Sequence, residues 1–153
     1  MSNLKVCIAS SAGGHLTEIL QIKKAYDKYD NFYITFKREN SLELAKIERV
    51  YFVLDPGRNI KKFVKNFVQT LGILFKEKPH IIISTGAGVA LSTCFLGKFI
   101  LRAKIIFIES FCRIDKPSIT GKLVYPISDL FFVQWEKLLK KYGNKAIYRG
   151  AVV

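Results

Sequence analysis

Short apolar runs alternate with helix-periodic segments along nearly the whole chain, and this alternation constrains the fold more than any other feature. The runs 4–9, 32–36, 50–54, 80–84, 104–108, 129–133 and 146–148 read as strands. Between them the sequence predicts helices over 15–28, 41–47, 59–78, 89–101, 120–126 and 135–142. The clearest carries Ile60, Phe63, Val64, Phe67, Val68, Leu71, Leu74 and Phe75 at spacings of three and four, with Lys61, Lys62 and Lys65 on its other side. Continuous apolar strands separated by helices predict an α/β fold with a parallel sheet covered on both faces, doubly wound and Rossmann-like. Crossovers in such a sheet are right-handed, and ligands bind at the carboxyl ends of the strands. No linker or internal repeat divides the 153 residues, so 1–153 reads as one domain.

The charge is strongly one-sided. Lys and Arg number 25 against 12 Asp and Glu, a net +13, which favours nucleic acid, an anionic membrane face or phosphorylated small molecules without choosing among them. Cys7, Cys94 and Cys112 form no CxxC pair, and with His15 and His80 they make no zinc-type spacing, so no metal is expected. Scattered cysteines and a first strand that begins almost at Met1 lead to the expectation of a cytoplasmic protein without signal peptide or membrane-spanning anchor.

Three loops at strand ends carry the polar chemistry. The first is Ser10-Ser11-Ala12-Gly13-Gly14-His15, where two residues without Cβ permit a tight turn and close approach of a ligand. A helix start there offers free N–H groups to a phosphate or diphosphate, and His15 can donate to it or take a proton near neutral pH. It is not the GxGxxG fingerprint, and no acidic residue ends the second strand to hold a ribose. The second loop, Thr85, Gly86 and Gly88, reads as a further backbone approach or as a glycine-softened connection. In the third, Glu109 can accept from a sugar hydroxyl and Arg113 can meet phosphate, or the two can pair with each other.

Taken together, Ser10 to Glu18, Ser84 to Gly88, Ile108-Glu109-Ser110, Thr120-Gly121-Lys122-Leu123 and Asp129 to Trp135 resemble the PssD-type proteins of bacterial capsule and exopolysaccharide assembly. The eukaryotic relative of that family is the membrane-recruiting subunit of a split N-acetylglucosaminyltransferase acting on the dolichol-linked N-glycan precursor. The resemblance covers essentially the whole chain and implies the acceptor-side half of a GT-B glycosyltransferase. It implies a non-autonomous subunit with no cofactor of its own, the nucleotide-sugar donor lying on a separate partner subunit. The acceptor would be a polyprenyl-diphosphate-linked sugar held by Ser11, Gly13, Gly14, Thr85, Gly86, Gly88, Ser110 and Arg113, with His15 and then Glu109 as candidates for the base or acceptor-orienting residue.

Membrane attachment is expected to be peripheral, at the inner face of the plasma membrane. The segment 89–101 is apolar on nearly all faces and too short to cross a bilayer, so Phe95, Lys98, Phe99 and Arg102 are expected to meet an anionic membrane surface. Ala151, Val152 and Val153 are expected to pack against the donor-binding partner. Two rival readings are a stand-alone nucleotide-dependent enzyme and a basic nucleic-acid-binding domain. Neither accounts for an apolar helix set beside basic residues.

Overall fold

The computed structural model describes residues 4–152; residues 1–3 and Val153, the latter one of the expected partner contacts, lie outside the described part. Seven strands form the sheet: β1 (Lys5–Ser10), β2 (Asp30–Thr35), β3 (Val50–Phe52), β4 (Ile81–Gly86), β5 (Lys104–Ile108), β6 (Leu130–Val133) and β7 (Ala146–Tyr148). Their order is β3-β2-β1-β4-β5-β6-β7, and every pairing is parallel. The order reverses between β1 and β4, the switch point at whose carboxyl end ligands bind in sheets of this kind. The helices are α1 (Gly14–Leu20), α2 (Lys23–Tyr26), α3 (Glu39–Leu44), α4 (Ile60–Glu77), α5 (Ala87–Leu101), α6 (Ile119–Val124) and α7 (Leu139–Tyr142).

The period-two rule divides the core. Cys7, Ala9, Phe32 and Ile34 face one side, packed with residues of α4, α5 and α6, while Val6, Ile8 and Tyr33 face the other with Leu16 and Ile19 of α1. The helix expected over 15–28 is two pieces. Gln21 and Ile22 donate to carbonyls three residues back, and Ile22 leaves helical geometry.

Helix α4 departs from the expectation in an informative way. Its periodic apolar stripe is split: Leu74 is buried and Phe67 and Leu71 pack against the core, but Ile60 is 81 % exposed, and Val64, Val68 and Phe75 are exposed as well. The wholly buried positions include Asn66 and Thr70. Asn66 Nδ2 donates to the Leu54 carbonyl at 2.8 Å, and its Oδ1 accepts from Ser92 Oγ of α5 at 2.6 Å. This amide therefore fixes the β3–α4 connection and the α4–α5 contact together. Asn66→Ala leaves the buried Ser92 hydroxyl and the part-buried Leu54 carbonyl without this partner and is expected to destabilise the domain by about 1–3 kcal/mol. Urea unfolding of the variant measures the loss; an unchanged midpoint would mean that water replaces the amide.

Candidate functional site

The first glycine turn sits at the carboxyl end of β1. Gly13 has φ 91° and ψ −139°, a conformation that residues with a Cβ rarely adopt, and it caps α1. Asn40 of α3 holds it from both sides: its Oδ1 accepts from Gly13 N at 3.2 Å and its Nδ2 donates to Gly13 O at 3.1 Å. Gly14 is exposed, with open space where a side chain would stand. Asn40 was not singled out from the sequence, where it is one polar residue in a charged stretch.

The second turn meets the first. Thr85 Oγ1 donates to the His15 carbonyl at 2.9 Å, and Gly86, at φ 113°, starts α5 next to the imidazole. A Cβ on Gly86 would stand 3.7 Å from His15 Cε1. Ala87 follows at φ 68°, a left-handed conformation costing a residue with a Cβ roughly 1–2 kcal/mol. Backbone strain of that kind clusters at functional sites. His15 Nδ1 is buried without a hydrogen-bond partner among the described residues, as is the hydroxyl of neighbouring Ser10. Gly13, Gly14, His15, Thr85 and Gly86 are thus one locus, with Ser11 buried beside them. Gly88 has a different task. A Cβ there would come within 2.5 Å of Pro56, so this glycine lets α5 pack against the β3–α4 connection instead of facing a ligand.

The third loop corrects the reading of Glu109. Its carboxylate is 1 % exposed and its partners are internal. Oε1 accepts from Ser110 N at 3.0 Å, and Oε2 accepts from both Ser118 N and Ser118 Oγ at 3.0 Å and from the Tyr142 hydroxyl. Burial and the adjacent Glu109 carboxylate push the Tyr142 phenol well up, so it stays a donor. A carboxylate so enclosed positions a loop and has no free edge for a sugar hydroxyl. Ser118 in turn caps α6 through Gly121 N, and a Cβ on Gly121 would collide with Glu109 Oε2 and Tyr142 Oη. Ser110 is likewise committed: it is buried and its hydroxyl donates to Glu18 Oε2 at 3.2 Å. Arg113 is exposed on the loop and makes no ion pair with Glu109 among the described residues, so it remains available to an anion.

Sequence reasoning missed Glu18 and Gln134 as organisers, although both lie inside the motifs quoted for the resemblance. Glu18 is buried in α1 and accepts from Phe111 N at 2.7 Å as well as from Ser110 and Gln134. Beyond them, Gly150 at φ 89° turns the chain after β7 back over the carboxyl edge. There 150–152 borders a cavity of about 240 Å³ with Ile108, Phe132 and Arg149, and Ala151 is exposed.

On the outer side, α4, α5 and α6 enclose an apolar groove of about 390 Å³ lined by residues that include Phe63, Phe67, Phe95, Phe99 and Leu123. Phe99 is 66 % exposed, but Phe95 is partly buried against the core, so it supports the helix at least as much as it faces outward. Arg102 is exposed at the end of α5. Lys98 is corrected: its ammonium pairs with Asp129 at 2.8 Å and is not free for a headgroup. No described helix is long and apolar enough to cross a membrane.

One half of a GT-B-type, two-domain architecture is the class this fold defines. MurG of Acinetobacter baumannii superposes with a TM-score of 0.78 at 12 % identity, covering 97 % of this chain and 45 % of that one. The UDP-GlcNAc 2-epimerase of Methanocaldococcus jannaschii superposes at 0.73 in its complex with UDP-GlcNAc and UDP, at 19 % identity, covering 97 % and 47 %. The chain therefore spans somewhat under half the length of these solved relatives in fold. Residues 6–152 match the family model described as oligosaccharide biosynthesis protein Alg14 like, and the chain belongs to that family. The human UDP-N-acetylglucosamine transferase subunit ALG14 is 26 % identical over 182 residues, covering 99 % of this chain and 84 % of its own. The corresponding subunit of Candida albicans is 29 % identical, covering 94 % and 76 %.

Asp129, the partner of Lys98, has a measurable signature. Burial raises its pKa, but Lys98, the Ile105 N–H and Lys104 outweigh that and bring the carboxyl down to about 2. A carboxyl whose pKa is lower folded than unfolded, where Asp sits near 3.9, stabilises fully above the unfolded value and loses that contribution as pH falls towards the folded one. The native protein should lose up to about 2 kcal/mol through this pair between roughly pH 4 and pH 2. Asp129→Asn should remove that part of the dependence, which denaturant unfolding over the same pH range reads directly. Parallel pH curves for the two proteins would contradict the assignment.

Proposed function

We propose that this chain is the acceptor-side, non-autonomous subunit of a two-chain glycosyltransferase that extends a polyprenyl-diphosphate-linked sugar. The observation that carries this reading is a family match over 6–152 combined with a fold corresponding to about half of MurG. The curated relatives are named as UDP-N-acetylglucosamine transferase subunits, and UDP-N-acetylglucosamine is the donor proposed here, held by a separate subunit. Capsule or exopolysaccharide assembly at the inner face of the plasma membrane is the finer reading. The Gly13–Gly14 turn and the start of α5 would receive the diphosphate, and exposed Arg113 in the third loop would add a cation. His15, whose ring adjoins both turns, would orient or deprotonate the accepting hydroxyl. Inverting transfer requires a base beside that hydroxyl and no protein nucleophile, and the locus offers such a base without Glu109.

Membrane contact is proposed through the face built by α4 and α5. Ile60, Val64, Val68 and Phe99 stand exposed there, and Lys61, Lys62, Lys65 and Arg102 are exposed on the same two helices. Apolar side chains that enter a bilayer surface while lysines remain at the headgroups match an anionic lipid face. The C-terminal segment 150–153 is the proposed contact with the donor-binding subunit.

Two measurements test these statements. Sugar transfer from UDP-N-acetylglucosamine to a polyprenyl-diphosphate-linked acceptor should need this chain together with a donor-binding half. In that pair His15→Ala should lower turnover by ~10²–10⁴-fold if the imidazole moves the proton. Turnover near the native level would remove His15 from that role. Separately, the purified chain should sediment with anionic vesicles and poorly with neutral ones, and high salt should weaken the binding. Replacing Val64 and Phe99 by Ser tests the apolar part with residues that the core does not need; unaltered sedimentation of that folded variant would overturn the docking face.

A further inference from the structure

The hydrogen bonds of Gln134, the residue after β6, converge from three parts of the chain. It is 2 % exposed. Its amide nitrogen donates to Glu18 Oε1 of α1 and, at 3.0 Å, to the Glu109 carbonyl at the end of β5. Its amide oxygen accepts from the Val152 N–H at 2.9 Å. The partners settle which way the amide points, since a carboxylate and a carbonyl only accept and a backbone N–H only donates. Glutamine is the residue type this place calls for. Glutamate would set two carboxylates against each other, and methionine would fill the volume but take one donor from Glu18, one from the Glu109 carbonyl and the acceptor from the Val152 N–H.

Among the described residues this is the only hydrogen bond that holds 149–152, which otherwise turns back on Gly150 and lies against Ile108 and Phe132. The other arm of the amide reaches Glu18. That carboxylate also takes the Phe111 N–H and the Ser110 hydroxyl, and its helix carries His15 one turn earlier. The tail and the acceptor loops are therefore joined through one buried amide.

We infer that Gln134 is a positioning residue that couples docking of the donor-binding subunit on the C-terminal segment to the geometry of the acceptor site. The inference rests on the reading that 150–153 meets that subunit. A partner that holds the tail also holds Gln134, and with it Glu18, the 110–111 loop and the start of α1. Coupling between two binding events is reciprocal, so bound acceptor must raise partner affinity by the factor by which bound partner raises acceptor affinity.

The test uses the reconstituted pair and four variants: Q134M, Q134E, the exchange E18Q/Q134E, and deletion of 151–153. Q134M and Q134E are expected to weaken partner binding by about fivefold or more in a titration and to raise the acceptor KM by more than they lower kcat. E18Q/Q134E restores one amide facing one carboxylate and should regain part of the affinity that Q134E loses, which a general loss of stability would not produce. In the isolated chain, hydrogen exchange at the Val152 amide reads the tie without any partner and should accelerate in Q134M. The outcomes separate cleanly. If the deletion abolishes partner binding while Q134M binds at native affinity, the docking reading stands and the coupling is overturned. If the deletion has no effect, the docking reading falls and the inference falls with it. Unchanged exchange at Val152 in Q134M, or no recovery in the exchange variant, also overturns the coupling.

Discussion

Two carboxylates removed from water hold the carboxyl edge of this sheet together, and neither forms an ion pair among the described residues. Glu18 and Glu109 are satisfied by N–H and O–H donors drawn from several segments: Ser110, Phe111, Ser118, Gln134 and Tyr142. An unpaired buried carboxylate costs several kcal/mol, and these donors together offset that cost at each of the two. The loop 110–118 is consequently stitched to α1 at its beginning and to α6 at its end. The Gly121 position follows from the same need, because the helix must come close enough for Ser118 to reach both its own cap and Glu109.

Of the two glycine turns only the first reaches solvent, at Gly14; Thr85 and Gly86 of the second are buried behind it. Gly13 and Gly86 hold backbone conformations that exclude side chains, Asn40 clamps the first and Thr85 anchors the second to His15. Glu109 and Ser110 in the third loop are spent on structure, which is why the proposed ligand contacts rest on backbone, His15 and exposed Arg113.

The strands were legible because a parallel sheet buried on both faces needs continuous apolar runs, and 4–9, 104–108 and 146–148 show them without ambiguity. Gly13 and Gly86 were legible because strand-end glycines mark unusual backbone. Glu109 was misread for a physical reason: a residue type and a place after a strand do not say whether the carboxylate faces solvent or the protein. Lys98 and Phe95 were misread similarly, since charge and hydropathy cannot show that Asp129 comes within reach of one or that the core claims the other.

Helix α4 draws the line most clearly. Its period of 3.6 is written in Ile60, Phe63, Val64, Phe67, Val68, Leu71, Leu74 and Phe75, and that pattern alone determines a helix with one apolar face, of which only Phe67, Leu71 and Leu74 reach the core. Which face lies inward was decided by tertiary contacts, because Asn66 could be buried only where Leu54 and Ser92 supply its hydrogen bonds. The same holds at the edge of the sheet. Local sequence determined strands, helices and the two turns, since these depend on backbone propensity and on neighbours three or four residues away. The joining of Glu18, Glu109, Gln134 and Val152 spans up to 134 residues of sequence, read from positions 18 and 152. Only the folded sheet brings such groups to hydrogen-bond distance, and no local pattern encodes a contact whose energy exists only once both partners have left water.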